Sequence, residues 1–135
     1  MSKTSESDKG TSARERNVVR LCAELREYFS PRVIGEVNDV YVKVTKVIGD
    51  DVPWHIHDHE DEMFYIVKGS LEMQIKDRPA FTLAEGEYFI VPQGTEHRVQ
   101  SESDCWMMLI EPKVTKHTGD VESTITKSID QQRGD

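Results

Sequence analysis

The sequence predicts an all-β fold, a small antiparallel β-barrel or sandwich preceded by one short helix. Its 135 residues suffice for a single domain, and a hydrophobic content of 36% can fill one core if polar ends lie outside it. From residue 33 onward, short segments alternate apolar and polar residues, which is the period of a half-buried strand. Turn-forming residues separate these segments at spacings too short for the helical crossovers of a parallel sheet.

The N-terminal part is predicted to contain the helix. Residues 1–13 are polar and are expected to be disordered. Between residues 14 and 29, apolar side chains recur in steps of three and four, which predicts an amphipathic helix. Ser30 and Pro31 end it, because proline cannot continue a helix.

The strands follow in order along the chain. A strand at residues 33–37 and a tight turn at Asn38 and Asp39 lead into a strand at 40–48, where the alternation is clearest. Further strands are expected at residues 54–56, 63–68, 70–76, 80–83, 88–91, 96–100 and 105–111.

The last of these strands is apolar on both faces at residues 106–110. One face can fill the barrel, and the other needs a cover from the N-terminal helix or from a second subunit. We therefore expect a homodimer. Residues 113–135 are polar and are expected to form a tail or an arm, which leaves residues 14–112 as the domain.

Charge and cysteine content narrow the partners and the environment. A net charge of −8 argues against nucleic acids and anionic membranes as partners, because both require clustered Lys and Arg. No apolar run approaches the roughly 20 residues of a membrane-spanning helix, and residues 1–10 lack the apolar core of a secretion signal. Cys22 and Cys105 lie far apart without a CxxC spacing, so we expect reduced thiols in a cytoplasmic protein.

Four of the five histidines lie in two short windows. His55 and His57 share a face if they lie on a strand, which is a suitable arrangement for binding a divalent metal. Glu62 would face the other way on an unbroken strand, but the acidic turn at residues 58–61 can reset the parity. With His97 from a separate turn, three neutral imidazoles and one carboxylate can bind a metal and leave positions open for water or substrate.

Each of these candidates also has a structural interpretation. An isolated His-x-His pair is more often a surface or packing pair than a metal site. Glu60 and Asp61 are expected to be solvated turn charges, and His59 is expected to face solvent or to support a ligand. His117 is expected to face solvent in the polar tail.

Glycine and proline residues surround the histidines at a regular spacing. In the first window the pattern is Gly, five residues, His-x-His, four residues, Glu, six residues and Gly, at Gly49, His55, His57, Glu62 and Gly69. In the second it is Gly, five residues, Pro-x-Gly, two residues and His, at Gly86, Pro92, Gly94 and His97. These spacings resemble the two motifs of the cupin family. The family's second motif ends in Asn, where this chain has Ser101.

The resemblance covers residues 49–101, and the flanks are more loosely similar to small RmlC-like and mannose-6-phosphate-isomerase-like cupins. It implies a jelly-roll barrel whose interior can hold one small-molecule ligand. It also implies that His55, His57, Glu62 and His97 bind one divalent transition metal, which is Fe, Mn, Ni or Zn. Dioxygenases, sugar isomerases, decarboxylases and lyases share this ligand set, so the motif does not choose among them.

We therefore expect a metal-dependent enzyme, of the dioxygenase or isomerase type, that acts on a small oxygen-rich metabolite. The alternative is a non-catalytic module that binds a metabolite or a metal. Phe64 and Ile66 share parity with Glu62 and are candidates for an apolar pocket wall. Lys43 can bind an anionic substrate if its face of the strand lines the cavity; a lysine on the outer face of the sheet is the alternative, and it is the more common arrangement.

Overall fold

The alternating segments form seven antiparallel strands in this computed structural model, which describes residues 14–114 and 128–133. The strands are β1 (Arg32–Val37), β2 (Val40–Gly49), β3 (Glu62–Lys68), β4 (Leu71–Ile75), β5 (Phe81–Leu83), β6 (Tyr88–Val91) and β7 (His97–Pro112). Two short helices flank them, α1 (Val18–Ala23) and α2 (Ile129–Gln132). The predicted all-β class with a short N-terminal helix is confirmed.

Strand β7 connects the two parts of the sheet. The strands pair in the order β1-β2-β7-β3-β6, while β4 pairs with both β5 and β7. Residues 97–100 of β7 pair with β4, and the later residues of β7 pair with β2 and β3. Because one strand belongs to both parts, the two sheets enclose a common interior.

Two predicted strand boundaries are wrong. The strands expected at residues 96–100 and 105–111 are one continuous strand, because Ser101 stays in the ladder and its hydroxyl bonds to the Ser70 carbonyl at 2.9 Å. The strand expected at residues 54–56 is a single bridge at His55. Pro53, two residues earlier, lacks the N–H that would extend the pairing into a ladder.

Helix α1 is also much shorter than the predicted span of 14–29. It begins after Asn17, whose side chain accepts a hydrogen bond from the Arg20 N–H at 2.9 Å, and it has six residues. Beyond it the chain turns, and the Phe29 N–H donates to the Lys46 carbonyl at 2.8 Å. Beyond the helix, Phe29 packs against the barrel core, which accounts for its place in the apolar pattern. A helix this short also needs its contacts with the barrel for its stability.

The polar face of β2 is the inner one. Tyr41, Lys43 and Thr45 point into the barrel and are at most 6% exposed, whereas Val42 is half-buried on the outer face. The outward-facing alternative for Lys43 is therefore wrong. Its charge is accommodated inside because the carboxylate of Glu111 lies next to it.

Apolar side chains from both parts of the sheet fill the interior. The buried members of this core are Val47, Val52, Phe64, Ile66, Leu71, Met73, Leu83, Val91, Val99, Cys105, Met107 and Leu109. Cys22 and Cys105 are buried free thiols, as predicted. Burial raises the pKa of Cys22 to about 11 and that of Cys105 to about 12, so neither thiol ionises near neutral pH.

The outer face of β7 is only partly covered. Trp106, Met108 and Ile110 are half-buried there, and α1 contacts both β2 and β7. The homodimer inferred from this strand stays a prediction. His117 lies outside the described residues. Within the residues that are described, no helix is long and apolar enough to cross a membrane.

Candidate metal centre

The backbone itself joins the two histidine windows. His55 and His97 form an isolated β-bridge in which the N–H of each residue donates to the carbonyl of the other at 3.0 Å. This reciprocal pairing fixes the two Cα positions side by side. The imidazole rings of His55 and His97, two residues that are far apart in the sequence, are therefore brought close together.

The turn that contains Gly94 positions the second histidine of the first window. The Gly94 N–H donates to the His57 carbonyl at 2.9 Å, and Gly94 has a φ of 77°, which favours glycine. The neighbouring Gln93 N–H donates to Asp61 Oδ1 at 2.9 Å. Asp61 thus links the turn before Glu62 to the turn that contains Gly94. The sequence predicted only a solvated charge at this position.

Glu62 is the first residue of β3, so the preceding turn resets the parity as the sequence predicts. Its Oε1 lies 3.1 Å from His57 Nε2 and 3.6 Å from His97 Nε2. One ligand atom from each of His55, His57, Glu62 and His97 lies within 4.8 Å of the other three, and all four residues are at most 4% exposed. The structure therefore brings the four predicted ligands together.

Backbone carbonyls orient two of the rings. Nδ1 of His55 lies 2.7 Å from the Pro53 carbonyl, and Nδ1 of His97 lies 2.9 Å from the Thr95 carbonyl. A carbonyl only accepts, so each Nδ1 carries the proton and donates it. The lone pair is then on Nε2, the atom that His97 directs at Glu62.

The electrostatics of the site suit a cation. Burial, followed by the neighbouring His97, lowers the pKa of His55 to about 4, which keeps its ring neutral at physiological pH. Burial alone would raise the pKa of Glu62, but the adjacent His57 and His97 hold it well below its usual range. A charged Glu62 carboxylate beside a neutral His55 ring suits metal binding, which needs these ligands deprotonated.

The donor set fits a transition metal ion. Among residues 14–114 and 128–133, Glu62 Oε1 and His97 Nε2 are buried without a well-aligned hydrogen-bond partner. Buried polar atoms in this state are costly, and a cation between them would satisfy both. Three imidazoles and a carboxylate are ligands that Fe, Mn, Ni and Zn accept.

A narrow cavity of about 40 Å³ adjoins this cluster. Two members of the cluster, His55 and Glu62, form part of its wall. The other lining residues are Phe29, Pro31, Thr45, Val47, Val52, Phe64, Val99, Met107 and Leu109. Apart from the two cluster residues, Thr45 is the polar side chain in this wall.

The three predicted pocket residues occupy different places. Phe64 lines the cavity, Ile66 is packed within the hydrophobic core, and Lys43 lies in a buried ion pair away from the cavity wall. His59 is exposed in the turn. Sequence reasoning missed Glu111, a buried carboxyl that shares inward parity with Leu109 and could have been found from that alternation.

Comparison with known proteins agrees with this geometry. The family model of the cupin domain matches residues 44–120 of the chain. The chain belongs to the cupin family. This cupin is 32% identical over 85 residues to the uncharacterised protein YdbB of Bacillus subtilis, a match that covers 63% of this chain and 74% of YdbB.

Two solved structures show the same fold. A cupin-2 domain protein from Shewanella frigidimarina has 36% identity and a TM-score of 0.69, with 72% of this chain and 93% of that protein covered. Protein NMB1881 of Neisseria meningitidis has 30% identity and a TM-score of 0.67, with 73% and 99% covered. The predicted jelly-roll architecture is therefore confirmed, and a bound metal is common in this family.

Proposed function

We propose that this cupin binds one divalent transition metal through His55, His57, Glu62 and His97 and is a metal-dependent enzyme. The observation that carries the proposal is that the cavity wall includes two of the four proposed ligands, His55 and Glu62. Structural metal sites are usually closed by protein ligands on all sides, whereas catalytic sites keep a position open. A ligand in this cavity would lie beside the ion.

The lining of the cavity favours a particular class of substrate. An oxygen-rich metabolite would leave most of its hydroxyl groups without partners against the apolar wall. Thr45 Oγ1 is buried and has no hydrogen-bond partner in the described part of the chain. We therefore favour a small, mainly apolar molecule with one oxygen for the metal and one polar group for Thr45.

The same wall favours chemistry supplied by the ion. Outside the proposed ligand set, the described lining residues include no acid or base, which disfavours a reaction that needs a positioned side chain for proton transfer at carbon. A bound metal can supply Lewis acidity or, as iron, activation of dioxygen. The apolar side chains would exclude water from that reaction. Oxidation is therefore favoured over isomerisation.

A non-catalytic binding function is the second candidate. It is supported by the ligand set and by the unpartnered Thr45 hydroxyl, because binding needs only the metal and the hydrogen bond from Thr45. The small-molecule ligand is common to both candidates. The cytoplasmic location stays a prediction.

Fe(II)-loaded protein, prepared without oxygen and exposed to nitric oxide, tests whether the ion is accessible. We expect the characteristic EPR signal of an iron–nitrosyl complex; its absence from iron-loaded protein would contradict an open catalytic site. Oxygen uptake with a panel of small carboxylic acids, ketones and phenols then separates turnover from binding. Thr45→Val is expected to weaken binding of the active compound about tenfold, and Thr45→Ser, which keeps the hydroxyl, is the control.

A further inference from the structure

A second group of buried charges lies inside the barrel near the metal centre. Lys43 and Glu111 are at most 1% exposed, and Lys43 Nζ lies 2.6 Å from Glu111 Oε2. The same ammonium group donates a hydrogen bond to Gln132 Oε1 of α2, and that glutamine is 2% exposed. A buried ion pair of this kind contributes little to stability, since desolvation offsets the attraction between the charges.

The strand register places this pair directly behind a proposed metal ligand. Strands β3 and β7 pair Met63 with Ile110, so one step further along the ladder Glu62 faces Glu111. Both side chains are at most 2% exposed, so the two carboxyl groups lie side by side in the interior of the barrel. Two carboxyls facing each other across strands are unfavourable unless a cation or a shared hydrogen bond compensates them. Lys43, two positions from the partner of Glu111 on β2, is that cation.

We propose that Lys43, Glu111 and Gln132 form a buried polar chain that positions the carboxylate of Glu62 for metal binding. The inference rests on the proposed function, because it assumes that Glu62 is a metal ligand. Glu62 presents Oε1 to two imidazoles, and the strand register places Glu111 directly opposite Glu62. Lys43 holds Glu111 in place, and Gln132 holds Lys43 and covers the group from the C-terminal side.

Groups that hydrogen-bond to a metal ligand orient it, and their loss commonly weakens metal affinity by about 10–100-fold. Here the three residues would orient one ligand, the carboxylate of Glu62, through the neighbouring Glu111. The three residues are therefore positioning residues, because none of them belongs to the proposed ligand set and none lines the cavity.

The test compares Co(II) binding to four proteins. The double variant Lys43→Met/Glu111→Leu removes the polar chain without leaving a lone buried charge, so we expect it to fold. Glu111→Gln keeps the shape and polar contacts on both sides of residue 111; it also removes the counterion of the buried Lys43, so its stability is measured together with its affinity. Leu71→Ala, a fully buried core position in the other part of the sheet, is the control for general destabilisation, alongside the wild type. Circular dichroism checks that each protein is folded.

Affinity is measured by competition with a chelator, and the ligand field is measured by the visible absorption spectrum of bound Co(II). We expect the double variant to bind Co(II) about 10–100-fold more weakly with a changed spectrum. Glu111→Gln should restore most of the affinity and the wild-type spectrum, and Leu71→Ala should leave the spectrum unchanged.

Two results would overturn the inference while leaving the proposed function intact. One is a double variant that binds Co(II) with wild-type affinity and spectrum. The other is a double variant that loses affinity only as much as Leu71→Ala and keeps the wild-type spectrum. A wild-type protein that binds no Co(II) would instead overturn the proposed function itself.

Discussion

Acid should destabilise the metal-free protein because His55 must remain uncharged in the folded state. Burial and the adjacent His97 lower the pKa of His55 from 6.5 to about 4. Between these values the unfolded chain binds a proton that the folded chain does not, so stability rises with pH in this window. The contribution of the neutral His55 ring to the free energy of unfolding is complete above pH 6.5 and is lost as the pH falls through 4. The two pKa values of His55 differ by about 2.5, which corresponds to roughly 3 kcal/mol in the free energy of unfolding.

Urea unfolding in the presence of EDTA, repeated across this pH range, measures the effect. As the pH falls, the free energy of unfolding should decrease more steeply in the wild type than in His55→Gln, which cannot take up this proton. We expect the two slopes to differ by up to about 1.4 kcal/mol per pH unit. His59→Gln, at an exposed position of the neighbouring turn, is the matched control and should retain the wild-type slope. Identical slopes for wild type and His55→Gln would refute the reasoning.

The remaining predictions concern the metal, the turns and the assembly. His57→Ala should sharply lower the metal content found by elemental analysis while circular dichroism stays unchanged; full stoichiometry would mean that His57 is not a ligand. Metal should dissociate as the pH falls below the titration range of histidine, because ligating imidazoles must be neutral, and retention at about pH 4 would contradict this. Gly69→Ala should destabilise the protein by roughly 2–4 kcal/mol, because Gly69 has a φ of 85° and a Cβ there would lie 2.5 Å from the Asp104 carbonyl oxygen. Calorimetry measures it, and an unchanged Tm would count against the geometry. Light scattering at micromolar concentration should show the predicted homodimer, and a monomer would remove that prediction.

The proposed ligand set could be predicted from the sequence because its signals are local. His55 and His57 are adjacent on one face, and the turn before Glu62 is short enough for its effect on parity to be anticipated. The positive φ values of Gly49 and Gly94 fit the turns that the glycines predicted. At each of these positions, the pattern of a few neighbouring residues was sufficient to predict the local structure.

The surroundings of the ligands could not be predicted because they depend on pairing between distant strands. The inward direction of Lys43 could not be predicted because β2 has buried residues on both faces. The alternation of apolar and polar residues therefore does not show which face is the inner one. The contact between Glu62 and Glu111 needs the register of β3 against β7. The orphaned hydroxyl of Thr45 is visible only when the packing around it is known.

The way in which the backbone supports the centre bears on the order of folding and metal binding. The His55–His97 bridge, the hydrogen bond from Gly94 to the His57 carbonyl and the bond from Gln93 to Asp61 all involve groups that would not bind the ion. The hydrophobic core lies in the barrel and needs no metal to form. In small metal-dependent domains the ligands come together only when the ion binds, so chelation unfolds them. Here the ligands are brought together by strand pairing, and the free energy of metal binding can instead stabilise a centre that already exists. EDTA should therefore remove the ion and leave the far-ultraviolet circular dichroism spectrum of this cupin unchanged, and a loss of strand signal on chelation would show that the barrel depends on its metal.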